Sequence, residues 1–308
     1  MEKLTNHRLY DNLFQTDKMP TSCLLCTTGE LDELGHIIPK FVMRWLKQAS
    51  KHKAFYLNSE QDKMVADTLA FKMMCTTCED KFSKLEKYFT DNYFKKYYRG
   101  QAPNPMQDEV YDFAISIAWR LIVFSARLKN TQPQEKAFEE TYSLSESLMR
   151  DYLNNKIDSC EHSVYVLPIE TLTANIPESQ IHEDTLKYSI RQGLKAHPFN
   201  DEKEKIGLSV QRIPTIQFKI GCYYFFIFPN DYFAGSEFTI TSTKASNSKE
   251  LHILNYTPDL IGFMEWLMDG RFFEINAKDI DLKSYTHRNA RTLWDLTFGS
   301  KVAKINAE

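Results

Sequence analysis

The chain reads as an α+β protein: a small metal-tied front module, then a helical hairpin, then a small, mainly antiparallel sheet with further helices. Three observations predict this. Two C-x-x-C pairs, Cys23 with Cys26 and Cys75 with Cys78, bracket the front of the chain. Apolar residues then recur at helical spacing from Val110 to Ser125, and again after Pro133. Beyond residue 160 the pattern changes to short runs of β-branched and aromatic residues, the signature of strands.

The cysteine pairs are the strongest local signal. Two residues between thiols let a tight turn bring both sulfurs to one ion, and two such pairs complete the tetrahedron that zinc prefers. A closed four-thiolate site has no open position, so it implies a structural Zn2+ held by Cys23, Cys26, Cys75 and Cys78. The alternative, a thioredoxin-like redox pair, normally occurs once and follows a strand of an α/β domain. Of the two remaining cysteines, Cys222 lies in the apolar run Ile220 to Phe228 and reads as a buried small hydrophobe. Cys160 reads as an inert residue of a loop or strand edge.

Between the pairs runs Glu30-Leu-Asp-Glu-Leu-Gly-His-Ile-Ile-Pro-Lys-Phe41. The order knuckle, His-Ile-Ile-Pro, knuckle, then helix resembles the zinc-stabilised members of the HNH, or ββα-metal, endonucleases, over roughly Cys23 to Phe94. The resemblance implies a treble-clef fold in which a hairpin-end histidine faces the first turn of the helix after the second knuckle. It implies that His36 is the general base and Glu79 a ligand for a catalytic Mg2+ or Mn2+, with DNA or RNA as substrate and bacterial defence as a setting. Two positions depart from the family's pattern: Gly35 stands where a ligand usually precedes the histidine, and the asparagine expected shortly before the second knuckle is missing from Leu69-Ala-Phe-Lys-Met-Met-Cys75. Asp32, Glu33 and Asp67 are the nearby carboxylates that would replace the missing ligand.

These departures leave alternatives open. His36 can be a strand-end histidine bonded to a backbone carbonyl, and Glu79 a helix-start carboxylate that complements the helix dipole. Glu86, seven residues on, reads as a solvated charge. The module would then be a catalytically inactive zinc-binding unit that recognises nucleic acid or a protein, or a subunit of a larger complex or homo-oligomer.

Composition bounds these readings. The chain has 308 residues, 43% of them hydrophobic, enough for two modest cores or one large one. A net charge of −3 argues against coating nucleic acid by bulk charge. The charge is uneven, with 16 basic and 13 acidic residues in 1–100 but 22 and 28 thereafter, which permits local phosphate contacts at the front. Met1 to Lys18 is polar and lacks the apolar core of a signal peptide. The longest apolar stretch, Phe113 to Phe124, is broken by Ser116 and Arg120, well short of the roughly 20 residues of a membrane span. A soluble, cytoplasmic protein without membrane contact is expected.

The remaining elements follow in order. After Pro39, Phe41, Val42, Trp45, Leu46 and Ala49 mark one helical face, with Lys40, Arg44, Lys47 and Lys51 on the other. A helix from Glu79 to about Lys96 carries a dense aromatic set, including Phe82, Phe89 and Tyr93, which reads as core or interface. Gly100-Gln-Ala-Pro-Asn-Pro105 ends it and is placed as the domain boundary, giving 1–100 and 101–308. Next come a helix with one broad apolar stripe near Val110 to Ser125 and a second from Pro133 to about Asn155, with Tyr142, Ser145 and Met149 inward. Strands are expected at 163–168, in two runs about Gly221 between 215 and 228, and near 238–243 and 250–254. Helices are expected at 258–270 and 287–298. The C-terminal region matches no catalytic template and reads as a recognition, oligomerisation or regulatory part.

Overall fold

The computed structural model describes residues 19–31, 34–49, 55–57, 60–65, 70–127, 136–168, 194–197, 216–230 and 242–254. The front part is a two-stranded antiparallel ribbon of β1 (Leu34–His36) and β4 (Ala70–Lys72), pairing Leu34 with Lys72, Gly35 with Phe71 and His36 with Ala70. The long spacer between these strands holds α1 (Lys40–Ala49) and a hairpin of β2 (Phe55–Leu57) and β3 (Glu60–Val65). The spacing of apolar residues after Pro39 makes α1; Val42 is buried and Phe41 and Trp45 half-buried, while Lys40 and Arg44 are exposed. The β2–β3 hairpin was not expected, because its sequence lacks clear alternation.

Helix α2 (Thr76–Phe89) opens inside the second C-x-x-C pair, with Cys75 as its extended N-cap residue. It runs on through a π-helical turn, Thr90–Phe94, into the single turn α3 (Lys95–Tyr98). Its aromatic residues form the joint of the molecule. Phe89 stacks on Phe113 with ring centres 4.2 Å apart, Phe82 meets Trp119 edge-on at 5.9 Å, and Phe94 meets Phe41 at 5.1 Å.

Helix α4 (Asp108–Ser125) corrects an expectation. It shows no single stripe: from Val110 to Ser125 every residue except Asp112 is buried, Ser116 and Arg120 included. A helix buried all round must be packed on several sides. Here α2 and α5 (Lys136–Leu153) take part of its surface, and the sheet takes the rest. Acidic Asp108 and Glu109 in its first turn complement the dipole. On α5, Tyr142, Ser145 and Met149 are buried as the pattern predicts, and Trp119 Nε1 donates to Glu146 Oε1 at 2.9 Å.

The sheet has six strands in the order β6-β7-β8-β5-β10-β9, which are Leu194–His197, Ile216–Ile220, Tyr223–Pro229, His162–Pro168, Leu251–Leu254 and Ser242–Lys244. Among the described residues, only β5 and β10 pair in parallel. β7 and β8 form a hairpin about Gly221-Cys222, where Gly221 takes the positive φ of 59° that a tight two-residue turn demands. Both strands are buried on both faces, Lys219 and Gln217 included, which explains their nearly continuous apolar sequence. The apolar cluster runs from Cys23 to Leu251 and so crosses the 100–105 link. The expected helices at 258–270 and 287–298 lie outside the described residues. Among the described residues, no helix is long and apolar enough to cross a membrane.

Candidate functional site

The first knuckle is a turn shaped by sulfur acceptors. The Cys23 amide donates to the Gly29 carbonyl and the Thr27 amide to the Cys23 carbonyl, both at 2.8 Å, with Thr27 in the left-handed region at φ 67°. This curl aims amides at the thiols: Cys26 N lies 3.4 Å from Cys23 Sγ and Gly29 N 3.3 Å from Cys26 Sγ. The Leu24 amide donates to the Met73 carbonyl at 2.8 Å and fastens the first knuckle beside the second.

The four sulfurs of Cys23, Cys26, Cys75 and Cys78 all lie within 4.8 Å of one another, and Cys26 Sγ is 3.8 Å from Cys75 Sγ. Four sulfurs about 2.3 Å from one tetrahedral ion stand about 3.8 Å apart, whereas a disulfide would bring two to about 2.05 Å. All four thiols are free. Electrostatics argue the same way. Burial pushes the Cys23 and Cys78 thiols up, and at Cys78 the neighbouring Cys75 and Cys23 add to it. At Cys26 burial is outweighed by the Thr28 and Gly29 amides, and the thiol falls to about 6. A packed group of thiols cannot ionise together without a cation to compensate them. The cluster is compatible with a metal ion such as zinc.

Gly29 and Gly35 are the two close approaches in this region. A Cβ on Gly29 would stand 2.7 Å from both Cβ and Sγ of Cys75 and 3.2 Å from Cys26 Sγ. A Cβ on Gly35 would stand 2.4 Å from Glu79 Oε1 and 3.0 Å from Met73 Cε. The carboxylate on the first turn of α2 therefore lies over the residue beside His36, with Oε1 buried. Strand alternation puts Leu34, His36, Ala70 and Lys72 on one face of the ribbon and buried Gly35 and Phe71 on the other. His36 is half-buried and Lys72 exposed.

Glu86 departs from the sequence reading. It is no solvated charge: its Oε1 lies 2.8 Å from Nη1 of Arg120, and the two side chains are 19% and 2% exposed. The same Nη1 donates to the His36 carbonyl at 3.0 Å, and Nε donates to the Ser116 carbonyl at 3.2 Å. The guanidinium also lies 5.2 Å above the Phe82 ring. Nη2 is buried without an acceptor among the described residues, so the hold rests on Nη1 and Nε. Sequence reasoning missed Arg120, whose partners lie 84 and 34 residues away.

Asp32, Glu33 and Asp67 lie outside the described residues. Among the described residues, the four cysteines are the one group of three or more potential metal ligands that converges. Cys160 is fully buried, with its thiol raised to about 11 by burial and its sulfur 3.1 Å from the Tyr111 hydroxyl. Cys222 is buried in the β7–β8 turn.

Family models, curated proteins and solved structures give no match to this chain.

Proposed function

We propose that the four cysteines hold one structural Zn2+ in a treble-clef-like module, and that this module serves metal-dependent phosphodiester hydrolysis of DNA or RNA. The observation that carries the reading is the contact between Glu79 and Gly35. In the nucleases that the Cys23 to Phe94 segment resembles, the position before the histidine and the start of the helix supply the metal ligands. Here these two positions touch, and His36 is next to them. Glu79 offers the hard oxygen that Mg2+ or Mn2+ takes, and such an ion would neutralise charge developing on the scissile phosphate. His36 would accept the proton of the attacking water as general base. The exposed Lys72 lies on the same ribbon face as His36 and would add a cation for the phosphate backbone.

Cleavage of plasmid and of labelled DNA and RNA oligonucleotides with Mg2+ or Mn2+ tests this. The wild type is expected to cut, His36→Ala to lose at least about a hundredfold in rate, as expected for a general base, and Glu79→Gln to lose the metal-dependent cleavage. Equal rates in wild type and His36→Ala would end the proposal.

A second reading is favoured by Gly35 itself, since Glu79 fills the space a ligand there would use. On that reading the module is catalytically silent and binds nucleic acid or a protein partner. Salt-dependent binding of an oligonucleotide without cleavage in either metal would support it.

A further inference from the structure

We infer that Arg120 is a positioning residue for His36, and that helix α4 thereby makes the C-terminal body part of the site. The inference rests on the reading of His36 as the base. Three observations carry it. Arg120 is 1% exposed in the middle of a helix buried on all sides, so its guanidinium has little freedom. Its single Nη1 joins the His36 carbonyl at 3.0 Å to the Glu86 carboxylate at 2.8 Å, one acceptor on β1 and one on α2. Its Nε is tied back to α4 through the Ser116 carbonyl, and its face lies over Phe82.

The consequence is geometric. His36 ends β1, a strand of three residues that pairs with β4 among the described residues. The chain turns at once into Ile37-Ile38-Pro39. A charge-assisted bond to the His36 carbonyl restrains the backbone at this turn. It comes from the helix that packs on the sheet: Phe113, on α4, meets Phe225 edge-on at 6.1 Å. The placement of the imidazole therefore depends on how the body seats α4, and Arg120 carries that dependence to His36.

The test uses the full chain and the pair of changes Arg120→Met with Glu86→Gln, so that no carboxylate is left facing an apolar side chain. Three quantities are measured: zinc content, steady-state cleavage of a labelled oligonucleotide with Mn2+ over a range of substrate concentrations, and the ring NMR signal of His36, assigned by its loss in His36→Ala. The expected result is unchanged zinc content, a moved His36 signal, and a kcat reduced about tenfold or more with KM held within about twofold. Glu86→Gln alone, which keeps an acceptor for Arg120, is expected to stay within about threefold of wild type. A double variant with wild-type kcat and an unmoved His36 signal would overturn the inference. Should the double variant fail to fold, Arg120→Lys decides, because its ammonium ends one atom short of Nη1; a moved His36 signal supports the positioning role and an unmoved one rejects it. Should the wild type not cleave at all, the hydrolytic reading falls on its own, and the His36 signal alone then settles the role of Arg120.

Discussion

At the residue scale, two glycines make contrasting predictions. Gly29 is pressed against the Cβ and Sγ of Cys75, atoms that cannot move without breaking the sulfur cluster. Gly35 is pressed against the tip of Glu79 and the end of Met73, which can swing away. Gly29→Ala should therefore weaken zinc binding by about 10- to 100-fold, the range seen when the support of a metal ligand is disturbed. Gly35→Ala should keep zinc and displace Glu79 instead. Competition with a chromophoric chelator measures both; equal zinc affinity in the two variants would contradict the packing described. The cysteines were legible in the sequence because ligand spacing within each knuckle is local. Glu86 and Arg120 were not, because a charge reads as solvated until folding brings its partner from 34 residues away.

At the scale of elements, burial decides what patterns alone leave open. The β7–β8 hairpin and α5 were legible, since a positive-φ glycine between apolar runs and a 3.6-residue period are both local signals. α4 departs from the one-stripe reading because the two polar residues that interrupt its apolar run, Ser116 and Arg120, are buried with acceptors of their own. The α4 core predicts a large mutational effect: Phe113→Ala removes a ring stacked on Phe89 and should cost about 3 to 5 kcal/mol in a denaturant titration. His162, which opens β5, predicts a pH effect. Its Nε2 lies 3.0 Å from the Ser145 hydroxyl and its Nδ1 2.6 Å from the Cys160 carbonyl, and burial holds its pKa below the usual 6.5. The neutral ring is favoured in the folded state, so its contribution is complete above pH 6.5 and is lost as pH falls from there through the folded value. Unfolding titrations in excess zinc should show a stability loss on acidification that is smaller in His162→Gln. Identical slopes would show that His162 does not carry it.

At the scale of the whole molecule, the front module and the body share a continuous apolar cluster, joined by Phe89 on Phe113 and Phe82 on Trp119. The proline-rich link between them is itself pinned, with the Tyr93 hydroxyl donating to the Pro105 carbonyl at 2.9 Å. The sequence reads this link as a boundary because proline and glycine break local structure, yet local breaks say nothing of what packs across them. Removing the proposed zinc should therefore be felt beyond the knuckles. Structural zinc contributes on the order of 10 kcal/mol or more in small zinc-binding peptides, so chelation should raise hydrogen exchange in β1, β4 and α2 and, through the shared aromatic contacts, in α4. Exchange confined to residues 19–49 would contradict the coupling.

The four-sulfur centre underlies the module, the placement of His36 and the contact between Glu79 and Gly35. X-ray absorption at the zinc edge of the full chain, with metal content measured on the same sample, tests it most directly. One zinc per chain with four sulfurs at about 2.3 Å is the predicted result. A chain without bound metal and with its cysteines oxidised in pairs, or a zinc with oxygen or nitrogen in its first shell, would contradict the account.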